Sequence, residues 1–227
     1  MESLEWNIPK FKELCHNANI SYPRDYVKSL LKKKRFIDYH AEMSTKVWED
    51  LFRAYNGKSL SPNDEKWIEA EVKSEANAIA LMYHLHSLAD IMAQIINRVV
   101  IGNQLRERDV SIYTVKKKIE KEDDKNKKRL LKRIEELLNN MYFKYVSAFV
   151  NITKHRYMID TKYWMELKKG NYTQGLRFKR FNYNGIHYPK TWIKEIATTF
   201  REGILNCIIN IGVELNKYIE KVYLGGK

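Results

Sequence analysis

The chain has 227 residues, 44% hydrophobic and 12% aromatic, which suits one large domain and excludes general disorder. Its 41 Lys and Arg against 28 Asp and Glu leave a formal charge of +13. That surplus points to polyanionic partners such as RNA or DNA, or else to a Lys-rich coating that only solvates helices. Two cysteines, Cys15 and Cys207, exclude a disulfide scaffold, and the opening "MESLEWNIPK" lacks a basic-then-apolar leader, so a cytoplasmic protein is expected.

Nine Gly and four Pro give the chain few forced turns, which favours long helices. Pro23 opens the first, through "RDYVKSLLKKKRFIDYHAEMSTKVWEDLFRAY" to Asn56-Gly57, with Asp38 marking a point of kink or break. In "SLSPNDEKW", Ser61 is the expected N-cap, Pro62 the first helical residue, and Asp64 and Glu65 suit the positive end of the dipole. The pattern then runs about 40 residues to Ile101 and Gly102, roughly 60 Å if unbroken. His84, His86, Asp90, Gln94, Asn97 and Arg98 lie in its most apolar part, too many polar groups for a membrane span.

A charged connection follows, with a short helix expected from Ser111. Leu131, Ile134, Leu138, Met141, Tyr145, Ala148 and Ile152 recur at helical spacing and predict one amphipathic helix over about 127–158. The segment 159–190 differs in kind. It holds seven Lys or Arg and seven aromatics, with Asn184-Gly185 as a hairpin pair and "YWMEL" at 163–167 as a further strand. The expected hairpin is 176–188. Such a segment offers cations to phosphates and rings to bases, or else packs its aromatics against the helices. A last helix from Pro189 carries Trp192, Ile196, Phe200, Ile204, Ile208, Ile211, Leu215 and Ile219. The expectation is a mainly α fold: residues 1–227 as a single helical-bundle domain with long helices, and 159–190 as a small antiparallel β-hairpin insertion.

Polar residues interrupt the apolar runs. His86, Asp90 and Asn97 recur on one helix, Asn206 and Asn210 on the last, and Asn151, Lys154 and His155 in "FVNITKHRYMID". Buried polar groups persist only when paired, so a shared internal cluster is expected, with His155 turned inward to Asp90. It would act as a register-fixing network or as a working site.

"NITKHR" after a Tyr-rich helical approach resembles the HEPN-like helical domains, whose signature is an Arg, often followed by a polar residue, with a His four to six residues after the Arg. Asn151 and His155 match the polar residue and the His, while Val150 stands where the Arg belongs. The resemblance implies a metal-independent ribonuclease acting across a homodimer cleft; the missing Arg shifts the implication towards binding RNA or a nucleotide. On that reading His155 is the acid or base, oriented by Asp90 or Asn151, with Lys154 and Arg156 near a phosphate. Arg177, Lys179 and Arg180 of the hairpin then contact the nucleic acid. Two other classes compete. One is a non-enzymatic dimerising module whose polar cluster is structural. The other is an all-α metal-dependent nucleotide pyrophosphohydrolase, but Glu65, Glu69, Glu71 and Glu75 are spaced by four and two where such sites need three. No metal site and no cofactor is expected: His40, His86 and His155 are scattered, and there is no H-E-x-x-H, Gly-rich phosphate loop or nucleophile elbow.

Overall fold

Few helix breakers in the sequence translate into long helices in the structure. The computed structural model describes residues 5–56, 61–168 and 171–225. Helices dominate: α1 (Ile8–Asn17), α2 (Arg24–Tyr55), α3 (Glu65–Val99), α4 (Ile112–Glu120), α5 (Lys125–Asn139), α6 (Met141–His155), the three-residue α7 (Ile193–Glu195) and α8 (Arg201–Tyr223). The helix α2 continues through Asp38 without a break and stops where Asn56 adopts φ 43°. Gly57, expected to share that stop, lies outside the described residues, as do Lys169 and Gly170 of the expected insertion.

Local side-chain chemistry sets the other ends. Asp64, rather than Ser61, caps α3, its Oδ1 accepting the Lys66 N–H at 2.9 Å. Ser61 instead accepts the Asn63 N–H within the preceding turn. Ser111 and Thr114 close a reciprocal capping box on α4, which starts where the short helix was expected. The single helix expected over 127–158 is two. Asn140 leaves helical geometry at φ −60°, ψ 125°, and its Oδ1 accepts the N–H groups of Tyr142 and Phe143 at 2.9 and 3.2 Å. The side chain thus starts α6 instead of letting α5 continue, a competition that apolar periodicity does not register. The unforeseen α1 is begun by Asn7, which accepts the Lys10 N–H, and by Pro9 in its first turn.

The chain divides into two compact units, one of residues 1–33, 86–143 and 203–227, the other of 34–85 and 144–202. In the first, Phe11, Leu88, Met92, Ile95, Ile134 and Ile211 are among the buried apolar side chains. Gly212 is needed there, since a Cβ would lie 2.3 Å from the Trp6 ring, which is itself fixed by its N–H donating to Asn216 Oδ1 at 3.1 Å.

Among the described residues the second unit carries all the β structure: β1 (Thr161–Lys168), β2 (Asn171–Phe178), β3 (Phe181–Tyr183), β4 (Ile186–Tyr188) and β5 (Thr191–Trp192). Asn184-Gly185 does turn a hairpin, β3–β4, with both residues at positive φ. It is not the sole one, however. The longer antiparallel pair β1–β2 precedes it, and β5 joins β2 to give the order β1-β2-β5. Because Thr191 and Trp192 pair with Phe178 and Arg177, the last helical segment begins at Ile193 rather than near Pro189. Beneath this sheet the unit has its own core, in which Leu81, Phe149, Ile152, Leu176, Phe178 and Ile196 are buried.

Candidate nucleic-acid interface

Strand alternation sorts the sheet residues. In register, Lys162 faces Arg177, Trp164 faces Gly175, Glu166 faces Thr173, and Arg177 also faces Trp192. Residues two apart share a face of a strand, so these side chains belong to one surface. Their contacts agree: the Arg177 guanidinium lies 4.6 Å from the Trp192 ring centroid and 3.7 Å from Glu166. Lys162 Nζ and Lys190 Nζ sit 5.5 and 5.2 Å from the Trp164 ring. On the opposite face Leu176 and Phe178 are buried, and the Tyr163 ring packs 4.7 Å from Trp48 and 4.6 Å from Trp67.

Trp164 keeps 42% of its surface exposed, although an indole gains by burial. Across from it Gly175 holds φ 143°, a region that L side chains rarely adopt, and nothing lies within 4 Å of where its Cβ would stand. The result is a side-chain-free step beside an exposed ring. Next to it a groove of about 600 Å³ is lined by Trp164, Arg177, Lys179, Arg180, His187 and Lys190, with Phe178 and Pro189. Lys179 is held by Asp160 at 2.7 Å and Arg177 by Glu166. Among the described residues, Lys162, Arg180 and Lys190 pair with no carboxylate. Tyr145, behind β3 and β4, packs against Phe181 and Tyr188; burial pushes its phenol up to about 12, so it serves as a neutral packing group. Glu75, whose carboxyl is pushed up by burial, accepts the Thr161 hydroxyl at 2.9 Å and fixes the start of β1.

The expected internal cluster is corrected. His155 ends α6 and is exposed, since the helix stops before the apolar stripe of Ala148 and Ile152 can reach Ile159. Asp90 is exposed too, and its Oδ1 accepts the Ile112 N–H at 3.4 Å at the start of α4. Asn151 donates back to the Ser147 carbonyl at 2.8 Å, within its own helix. Asn97 is buried, as expected, but serves a loop: it accepts the Leu105 N–H and donates to the Leu105 carbonyl and Asn103 Oδ1. His86 lies parallel to Phe143 at 6.1 Å. Each of these polar groups has its own local setting.

Lys154 and Arg156 are exposed and lean on rings, Lys154 5.5 Å from Tyr83 and Arg156 5.2 Å from Tyr183. Of the expected hairpin cations, Arg177, Lys179 and Arg180 do share one groove. The sequence does not single out Lys162, Trp164 or Lys190, and it assigns Trp192, which lies in β5, to the last helix. The signal for Lys162 and Trp164 is the alternation in "TKYWMEL", legible once β1 is paired with β2. Among the described residues no group of three or more His, Cys, Asp or Glu is placed to hold a metal ion. Set against protein-family models, curated proteins and solved structures, the chain has no match.

Proposed function

We propose that this protein binds single-stranded nucleic acid, RNA in the first instance, on the outer face of the β1-β2-β5 sheet. The observation that carries the proposal is an exposed Trp164 flanked by Lys162 and Lys190, beside the bare step at Gly175 and the groove edged by Arg180. Stacking on an exposed indole requires unpaired bases, and the surrounding cations suit the phosphates that join them. The likeness of Asn151 and His155 to the HEPN-like motif supports RNA over DNA. Cleavage is not part of the proposal, because His155 is exposed and Asn151 is engaged within α6.

The test is the salt dependence of affinity for a single-stranded RNA oligomer, with the matching DNA as comparison. Replacing Lys162, Arg180 and Lys190 together by Ser should weaken binding and flatten the slope of log K against log salt by about two, at ~0.7 per phosphate contact. Parental affinity at every salt concentration in the triple variant would remove the sheet face as the contact surface.

A further inference from the structure

The first unit contains a second concentration of charge, of a different chemistry. Arg129, Lys132 and Arg133 of α5, with Lys217 and Lys221 of α8, line a groove of about 520 Å³ whose remaining lining residue is Glu214. Spacings of three and four on α5, and of four on α8, bring these side chains to one face of each helix. No aromatic residue lines the groove, so it offers charge without a stacking surface.

A Lys-rich coating that only solvates helices pairs its cations with acids one turn away. The second unit does so: Lys34 with Asp38, Lys46 with Glu42, Lys73 with Glu69. Of the acids at the groove, Glu214 is buried in the lining and offsets part of the charge, and the others are engaged. Glu135 pairs with Lys116 at 3.3 Å, Glu220 with Lys10 at 2.5 Å, and both Glu136 oxygens accept from Arg133 Nη1, at 2.8 and 3.1 Å. Among the described residues, Arg129, Lys132, Lys217 and Lys221 pair with no carboxylate, and all four are exposed. Like charges at this density repel, and a bound anion would relieve that repulsion. The Glu136 carboxylate, accepting from Nη1, also holds the Arg133 side chain in place in advance, reducing what binding must order.

We propose that this groove binds a ligand presenting two or more adjacent phosphate groups. Two sources share that chemistry, the backbone of a nucleic-acid strand and a free oligophosphate. The proposal does not depend on the sheet face being a nucleic-acid site.

The full chain is titrated with inorganic pyrophosphate by calorimetry, and with a single-stranded RNA oligomer over a range of salt. Two variants are compared with the parent: Lys132→Gln with Lys217→Gln and Lys221→Gln, and the same three positions changed to Arg. All three side chains are exposed, so both variants should fold, which circular dichroism checks. Pyrophosphate binding that weakens at least tenfold in the Gln variant and persists in the Arg variant supports the site with a free oligophosphate as its ligand. No pyrophosphate binding, with an RNA salt slope flattened by about two in the Gln variant alone, supports it with a strand as the ligand. If neither pyrophosphate nor RNA binding responds to the Gln variant, the proposal is overturned. The sheet-face reading fails separately, on RNA affinity that ignores Lys162, Arg180 and Lys190.

Discussion

Phe149→Ala should destabilise the protein by about 3–5 kcal/mol, the cost of emptying a fully buried aromatic site. Phe149 has no exposed surface and ties α6 to the sheet, its ring 4.8 Å from Phe178 at 70° and 6.1 Å from Phe181 at 76°. The edge-to-face pairs add about 0.5–1.5 kcal/mol each to the burial itself. Phe178 is the neighbour of Arg177 on β2, so the cavity opens directly behind the candidate interface. Denaturant unfolding followed by circular dichroism reads the loss as a lower midpoint, and Phe149→Leu should recover most of it. A loss under about 1 kcal/mol for Phe149→Ala would show that the core between α6 and the sheet is not packed as described.

Trp164→Ala is expected to act in the opposite way, on binding and not on folding. Base stacking on an aromatic side chain contributes about 1–3 kcal/mol, so affinity for a single-stranded RNA oligomer should fall roughly fivefold to 150-fold. Trp164 is 42% exposed and its nearest cations, Lys162 and Lys190, remain in place. Stability should therefore change by no more than about 0.5 kcal/mol. Trp164→Phe, which keeps a ring, should retain most of the affinity. Unchanged binding in Trp164→Ala, or a loss that tracks a lowered unfolding midpoint, would count against stacking at this site.

The residues explain what could be read in advance. Long helices with few Gly and Pro, a short helix from Ser111 and the Asn184-Gly185 turn are local signals, and each appears where it was expected. The break at Asn140 escaped because hydrophobic periodicity counts apolar side chains, whereas the deciding event is one amide oxygen accepting two N–H groups. His155 misled for a related reason. Its place on the stripe of Ala148 and Ile152 presumes a helix that continues, and α6 ends at that residue. The basic, aromatic character of 159–190 was legible as composition, and Arg177, Lys179 and Arg180 do line one groove. Which side chains share a face was not legible. That depends on the β1–β2 register, which sets Trp164 opposite Gly175 and is a long-range property of the fold. The groove of α5 and α8 likewise joins residues about 90 positions apart, and nothing in either helix alone announces it.

The central claim, that the outer sheet face receives an unpaired RNA strand, is tested most directly by photo-crosslinking. A single-stranded oligomer carrying 4-thiouridine is bound to the full chain, irradiated at long wavelength, and the crosslinked residues are mapped by mass spectrometry. The account predicts crosslinks concentrated in 161–192, with Trp164 and Trp192 foremost and their yield suppressed by excess unlabelled oligomer. Competable crosslinks confined to residues outside 161–192, or no competable crosslink at all, would contradict it.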